Sequence, residues 1–151
     1  MSWDSVRKLK EKPFDITLGT DKQYSGLTCG ITIGYASAAF GDLVYLNNVN
    51  NRWEKANAST EGTSGDVMLG LVVSADVSDG GAGVILLIGF IKKVTWNFSS
   101  AGDTLYASET EGLITAVRPT ASNAIVRVIG NADINTNTVY FNPSGTWVEL
   151  S

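Results

Sequence analysis

A chain that performs acyl or glycosyl transfer needs a nucleophile beside a base, and this one offers a single thiol, Cys29, and no histidine. Without an imidazole the usual thiol and serine triads are excluded. Cys29 is then expected to be a small buried apolar residue, and a lone cysteine excludes an intrachain disulfide. Gly80-Gly81-Ala82-Gly83 has the composition of a phosphate cradle. Such a cradle opens a helix, but here the strand-like run Val84-Ile85-Leu86-Leu87 follows and no Lys-Ser/Thr pair completes the motif, so a turn is expected. Asp76-Val77-Ser78-Asp79-Gly80 starts like a calcium loop, yet the twelfth place, where a bidentate Glu belongs, is Leu87. Solvated turn aspartates are expected there, or at most a weak cation site. Glycoside hydrolysis needs carboxylates beside aromatic platforms. Trp53 and Glu54 are neighbours in a strand-like run and must point to opposite faces. Trp147 and Glu149 share a face and read as an aromatic covering a barrel end with a charge at its rim. No catalytic, cofactor-binding or metal residue is assigned, and the chain is read as non-enzymatic with no cofactor.

The remaining chemistry-bearing residues come as a pair. Gly41-Asp42-Leu43-Val44-Tyr45-Leu46 is answered 61 residues later by Gly102-Asp103-Thr104-Leu105-Tyr106-Ala107. One structural job done twice fits better than a duplicated active site: each carboxylate accepts backbone N–H groups in a turn that opens a strand. The match continues. Arg52 to Ala56 corresponds to Leu113 to Val117, and Val67 to Val73, broken by Gly70, corresponds to Ile125 to Gly130. The halves close with Val84 to Val94 and Thr138 to Leu150. A duplicated β unit of two copies is too short for a solenoid and suits a small barrel or sandwich.

The elements that must carry this repeat follow from composition and spacing. At 151 residues one domain with its own core is expected. The balance of 11 basic to 15 acidic residues argues against a nucleic-acid partner. No apolar run approaches a membrane span and no signal sequence opens the chain, so synthesis in a cytoplasm is expected. Strand-like pieces alternate with turn clusters at Asn47–Asn51, Glu61–Asp66 (a loop), Ser78–Gly83, Glu109–Gly112, Asn135–Asn137 and Asn142–Gly145. Ile16, Leu18, Ile31, Ile33 and Tyr35 are candidate inward positions. Gly26, Gly30 and Gly34 read as strand glycines at bulges or close approaches. Val72, Leu86 and Val128 are expected to be buried core positions. The predicted fold is all-β: a small barrel or sandwich of two similar halves with a short N-terminal helical arm. Residues 1–13 form the arm and 14–151 one β domain, with related units at 41–94 and 102–150.

The arm stands apart. Ser2 can cap a short helix, Val6 and Leu9 share a face, and Arg7, Lys8, Lys10 and Lys12 are 4 of the 11 basic residues. Pro13 ends it. It either folds back on its own barrel or docks on another subunit. A helix this short is marginal alone, so a partner surface is expected, met by Trp3, Val6, Arg7, Leu9 and Lys10.

The repeat, with Leu69-Gly70-Leu71-Val72, Leu86-Leu87-Ile88-Gly89-Phe90-Ile91, Ile125-Val126-Arg127-Val128-Ile129-Gly130 and Val139-Tyr140-Phe141-Asn142-Pro143-Ser144, resembles small β-rich virion proteins of tailed bacteriophages. These are capsid decoration (cement) proteins and head-like modules of fibres. The resemblance covers residues 24–151 and leaves out the arm. It implies a structural role, self-association and no catalysis. The function expected is a decoration protein on the outer capsid surface that bridges and stabilises subunits. Its partners would be the major capsid protein and copies of itself, a trimer foremost. The alternative is a tail-fibre or receptor-binding module recognising host glycan.

Overall fold

The computed structural model describes residues 17–151; the arm, with Trp3, Val6, Arg7, Leu9 and Lys10, and Ile16 lie outside them. Strands make up 41% of the described residues and helix 3%, so the chain is all-β as expected. The elements are β1 (Tyr24–Thr32), β2 (Leu43–Asn47), β3 (Arg52–Lys55), a four-residue helix α1 (Glu61–Ser64), β4 (Leu69–Val72), β5 (Ala82–Lys92), β6 (Thr104–Ala107), β7 (Ile114–Thr115), β8 (Ile125–Val126), β9 (Val128–Ala132), β10 (Thr138–Phe141) and β11 (Val148–Glu149). The helix replaces part of the loop expected at Glu61–Asp66.

Hydrogen bonding joins nine strands into one curled antiparallel sheet along the path β3-β2-β4-β5-β10-β9-β6-β7, with β1 added on β5; β11 and β8 form a separate pair. The path has like halves. In the first, Leu43 faces Leu71, Val44 faces Gly70 and Leu46 faces Trp53; in the second, Thr104 faces Asn131, Leu105 faces Gly130 and Ala107 faces Ile114. Tyr45, opposite Glu54, thus matches Tyr106, opposite Thr115.

The long strand β5 organises the rest. β1 pairs along it from Ala82 to Ile91. A strand has two edges, so β4, paired at Ile85 and Leu86, and β10, paired from Gly89 to Lys92, must share the other. Beyond β1, Ile33 bridges to Trp53 and the Gly34 N–H donates to Trp53 O at 2.8 Å. That contact closes β1, β5, β4, β2 and β3 into a ring. Where β1 and β5 cross closely, Gly26 sits opposite Gly89; a Cβ on Gly26 would lie 2.7 Å from Gly89 Cα.

Two cores result. The smaller fills the ring with Ile33, Ala38, Val44, Trp53, Val72 and Ile85. The larger lies on the outside of the ring, where Leu43, Tyr45, Leu71 and Leu86 meet Leu105, Ala107, Ile114, Val139 and Phe141 of the second half. Alternate residues of β2 and β4 therefore serve different cores. Val72 and Leu86 are fully buried as expected.

Two expectations fail. Val128 is only half-buried. The β6–β9 register shifts between Leu105 and Tyr106, and Ile129 takes the core position instead. Cys29 is exposed, not buried. It lies on β1, which among the described residues pairs with no strand but β5 and is uncovered over most of both faces.

Candidate functional site: the Gly-Asp turns and the Tyr35–Glu54 cleft

The paired Gly-Asp turns are built alike. Gly41 and Gly102 have φ of 89° and 84°, a left-handed conformation that a side chain would strain. The Gly41 N–H donates to Val72 O at 2.7 Å, and the Gly102 N–H to Ala132 O at 2.8 Å. Asp42 Oδ2 accepts the Ala39 N–H at 3.0 Å, and Asp103 Oδ2 the Ser100 N–H at 2.8 Å. Each carboxylate thus does the backbone work expected of it at the mouth of a strand. Asp42 does more: the same oxygen accepts the Tyr35 hydroxyl at 2.8 Å. Burial first, then the neighbouring Asp42 charge and that hydrogen bond, push the Tyr35 hydroxyl well above the ordinary phenol range, so it stays a neutral donor.

Beside this turn lies an open cleft of about 670 Å³, lined by Tyr35, Tyr45, Glu54, Lys55, Asn57 and Glu111 among others. Register explains its chemistry. Tyr45 and Glu54 are opposed on β2 and β3 and share a face, and the Tyr45 hydroxyl donates to Glu54 Oε2 at 3.1 Å. The hairpin tip completes the set: Asn47 Nδ2 donates to Oε2 at 3.0 Å and Asn50 Nδ2 to Oε1 at 2.9 Å. Those two amides, Asn50 first, hold the Glu54 carboxyl below its usual range. Burial raises the Tyr45 hydroxyl, with the bond to Glu54 adding to it. The Lys55 ammonium stands 5.4 Å from the Tyr35 ring centroid. A carboxylate that already accepts from three donors is a fixed acceptor, with about one of its roughly four lone-pair sites left. It is poorly suited to proton transfer, which needs a carboxyl raised toward neutral pH. The cleft can recognise polar groups through Glu54, Lys55 and Asn57. Trp53, pointing the other way into the ring, is buried and does not join it.

No protein-family model, curated protein or solved structure matches the chain.

The other sequence candidates sit apart from the cleft. Asp79 pairs with Arg52 at 3.2 Å on the surface, and among the described residues no group of three or more His, Cys, Asp or Glu could hold a metal ion. Gly80–Gly83 runs from a turn into β5, as expected. Trp147 is half-buried beside the exposed start of β11. No described helix is long and apolar enough to cross a membrane.

Sequence reasoning missed Tyr35, Lys55 and Arg127. Arg127 is 8% exposed and binds only carbonyls. Its Nη1 donates to Ser64 O at 3.1 Å, Gly65 O at 2.7 Å and Val67 O at 2.6 Å, and its Nε to Ser144 O at 2.9 Å. Burial lowers its pKa and Asp66 opposes that. The guanidinium clasps the loop after α1 to the C-terminal segment. A charged residue amid the apolar run Ile125–Ile129 was the available signal.

Proposed function

We propose that the chain is a structural protein of a phage virion: a decoration protein that bridges neighbouring major-capsid subunits on the outer shell and associates with copies of itself, a trimer foremost. The observation that carries this reading is β1. Its nine residues, Tyr-Ser-Gly-Leu-Thr-Cys-Gly-Ile-Thr, include no charge and no proline, and among the described strands it pairs with β5 alone. Proteins that remain single usually blunt a marginal strand with charge, proline or a cover. A long neutral one suits assembly. The resemblance of the repeat to phage virion modules points the same way.

The arm belongs to this proposal. The chain reaches Leu18 and Gly19 beside the end of β5, where Lys92 Nζ donates to Leu18 O at 3.3 Å, and β1 starts opposite Ile91 at that same end. The described residues therefore begin at the margin that β1 occupies, and the arm with Trp3, Val6, Arg7, Leu9 and Lys10 precedes them in the sequence. It would dock with its apolar residues as anchors and its basic residues on acidic capsid surface. Binding of many copies then favours the assembled shell by mass action.

The test is deletion of residues 2–12. The melting temperature should hardly change, while occupancy on purified particles, read by quantitative mass spectrometry, should collapse. Full occupancy by the truncated protein would overturn the docking role.

The cleft favours a second reading, a fibre module that binds host glycan. Its polar lining suits hydroxyl groups, but Tyr45 is 9% exposed and Lys55 stands over Tyr35, so neither ring offers a bare stacking face. An oligosaccharide panel decides: a hit lost in Glu54→Gln supports the fibre reading, and silence across the panel sinks it.

A further inference from the structure

The β9–β10 hairpin holds chemistry that the fold does not use. The Asp133 N–H donates to Thr138 O and the Thr138 N–H to Asn135 O, both at 2.8 Å. Residues opposed across a hairpin share a face, so Asp133 and Thr138 present their side chains on the same side of it. Three buried side-chain oxygens here lack any hydrogen-bond partner: Asp133 Oδ2, Asn137 Oδ1 and Thr138 Oγ1. They are the only such atoms among the described residues, and all fall within six residues of sequence. Thr138 is 0% exposed.

Orphaned buried polar atoms are costly and uncommon. Three in one turn ask for a common partner. Two of them, the carboxylate and the amide oxygen, can only accept, so the partner must be a donor or a cation. The nearby lysines are engaged elsewhere. Lys92, opposite Thr138 in register, gives its ammonium to Leu18 O and Gly19 O at 3.3 and 3.5 Å; Lys93 lies 5.9 Å from the Trp96 ring centroid. The oxygens are all hard donors, and Asp133, Asn135 and Asn137 have the alternate spacing with which loops present oxygen to calcium.

We propose that this hairpin binds Ca²⁺ through the Asp133 carboxylate, the Asn137 side-chain carbonyl and the Thr138 hydroxyl, with water completing the shell. A single carboxylate makes the site weak, with a dissociation constant of about 0.1–1 mM, the range of extracellular modules. Occupancy would also brace the neighbouring loop, because the Lys93 N–H donates to Asn137 O at 3.0 Å and the Phe98 N–H to Thr136 O at 3.1 Å. The proposal stands independently of the virion reading.

The experiment is a CaCl₂ titration of the full chain after EDTA treatment, read by melting temperature, with TbCl₃ luminescence sensitised by aromatic residues as a direct binding signal. At ten times the dissociation constant the melting temperature should rise by about 3–5 °C, and Ca²⁺ should displace Tb³⁺. Asp133→Asn should abolish both responses, yet in EDTA melt no lower than the wild type, since the Asp133 Oδ2 it replaces has no hydrogen-bond partner to lose. Thr138→Val should weaken binding and gives the same readout if the first variant misfolds. No shift at about 20 mM CaCl₂, an equal shift with NaCl at matched ionic strength, or an undiminished response in Asp133→Asn would each overturn the site. A crystal structure grown in CaCl₂ with only water on these oxygens would do the same.

Discussion

The first unit of the repeat is buried on both faces and the second on one. Leu43, Val44 and Tyr45 are all buried in β2; in β6, Leu105 and Ala107 are buried while Thr104 is exposed and Tyr106 half-exposed. β4 is buried throughout, whereas Asn131 of β9 is open to solvent. The cause is what each unit packs against. Residues equivalent by register use the same inner face: Val44, Trp53 and Val72 line the ring, and their counterparts Leu105, Ile114 and Ala132 also point inward. The first unit's inner face is filled by Ile33 and Ala38. The second unit's inner face is laid on the outside of the first. Nothing among the described residues covers the outside of the second unit. Duplication therefore preserved the turns and the register, while burial diverged with layer position. A middle layer needs a continuous apolar run, and an outer layer needs alternation.

The sharpest break in that comparison is to truncate matched outer-face positions. Leu71 and Asn131 pair with Leu43 and Thr104 respectively. Leu71→Ala should cost about 3 kcal/mol, and Asn131→Ala less than about 0.5 kcal/mol, measured as the shift in urea midpoint. Val44→Ala and Leu105→Ala, on the shared inner face, should both be clearly destabilising. Equal losses at Leu71 and Asn131 would refute the layer account.

Much of this was legible in the sequence. Leu-Val-Tyr-Leu against Thr-Leu-Tyr-Ala already contrasts a run with an alternation, and the Gly-Asp turns carry their role in two residues because the interactions are local. Cys29 was misread because a marginal strand and a buried one can share the composition Gly-Leu-Thr-Cys-Gly-Ile; only pairing decides which is exposed. Val128 was misread because a one-residue register shift flips a side chain without any change of residue type. The cleft was illegible for a different reason. Tyr45 and Glu54 meet across the β2–β3 hairpin, but Tyr35 and Glu111 join them from turns outside the strands, Glu111 from the second unit. Arg127 was illegible because its partners are backbone carbonyls, which no side-chain pattern announces.

The clasp at Arg127 tests how the units depend on one another. It lies at the β8–β9 junction of the second unit and holds three carbonyls of the first. Arg127→Met keeps the apolar stem but strands those acceptors, and should cost about 2–3 kcal/mol. A loss under about 0.5 kcal/mol would show that the carbonyls find water and that the units hold by apolar contact alone.

The paired aspartates give a smaller contrast. Asp103 serves one backbone N–H, while Asp42 serves one and the Tyr35 hydroxyl. Asp103→Ala should cost about 1 kcal/mol and Asp42→Ala about 2 kcal/mol. In a Tyr35→Phe background the two losses should become equal, which a double-mutant cycle measures.

The smallest effect expected is also the one that only the first unit can show. Tyr45 faces Glu54, but Tyr106 faces Thr115, so the second unit has no carboxylate at this place. In the folded chain Glu54 is held below its ordinary value of 4.5 by Asn50, Asn47 and Tyr45. A carboxyl lowered on folding contributes stability that is fully present above its unfolded pKa and is lost as pH falls through the folded value. Glu54→Gln should therefore melt below the wild type near neutral pH, and the gap should narrow as pH falls from about 5 toward 3. Because the group lies at a solvent-open cleft, the gap should be modest. Thr115→Val, its counterpart in the second unit, should show a melting difference that does not depend on pH. If the Glu54→Gln gap stays constant through the acid range, the three donors are not favouring the charged form, and the cleft's fixed acceptor is an uncharged hydrogen-bond network.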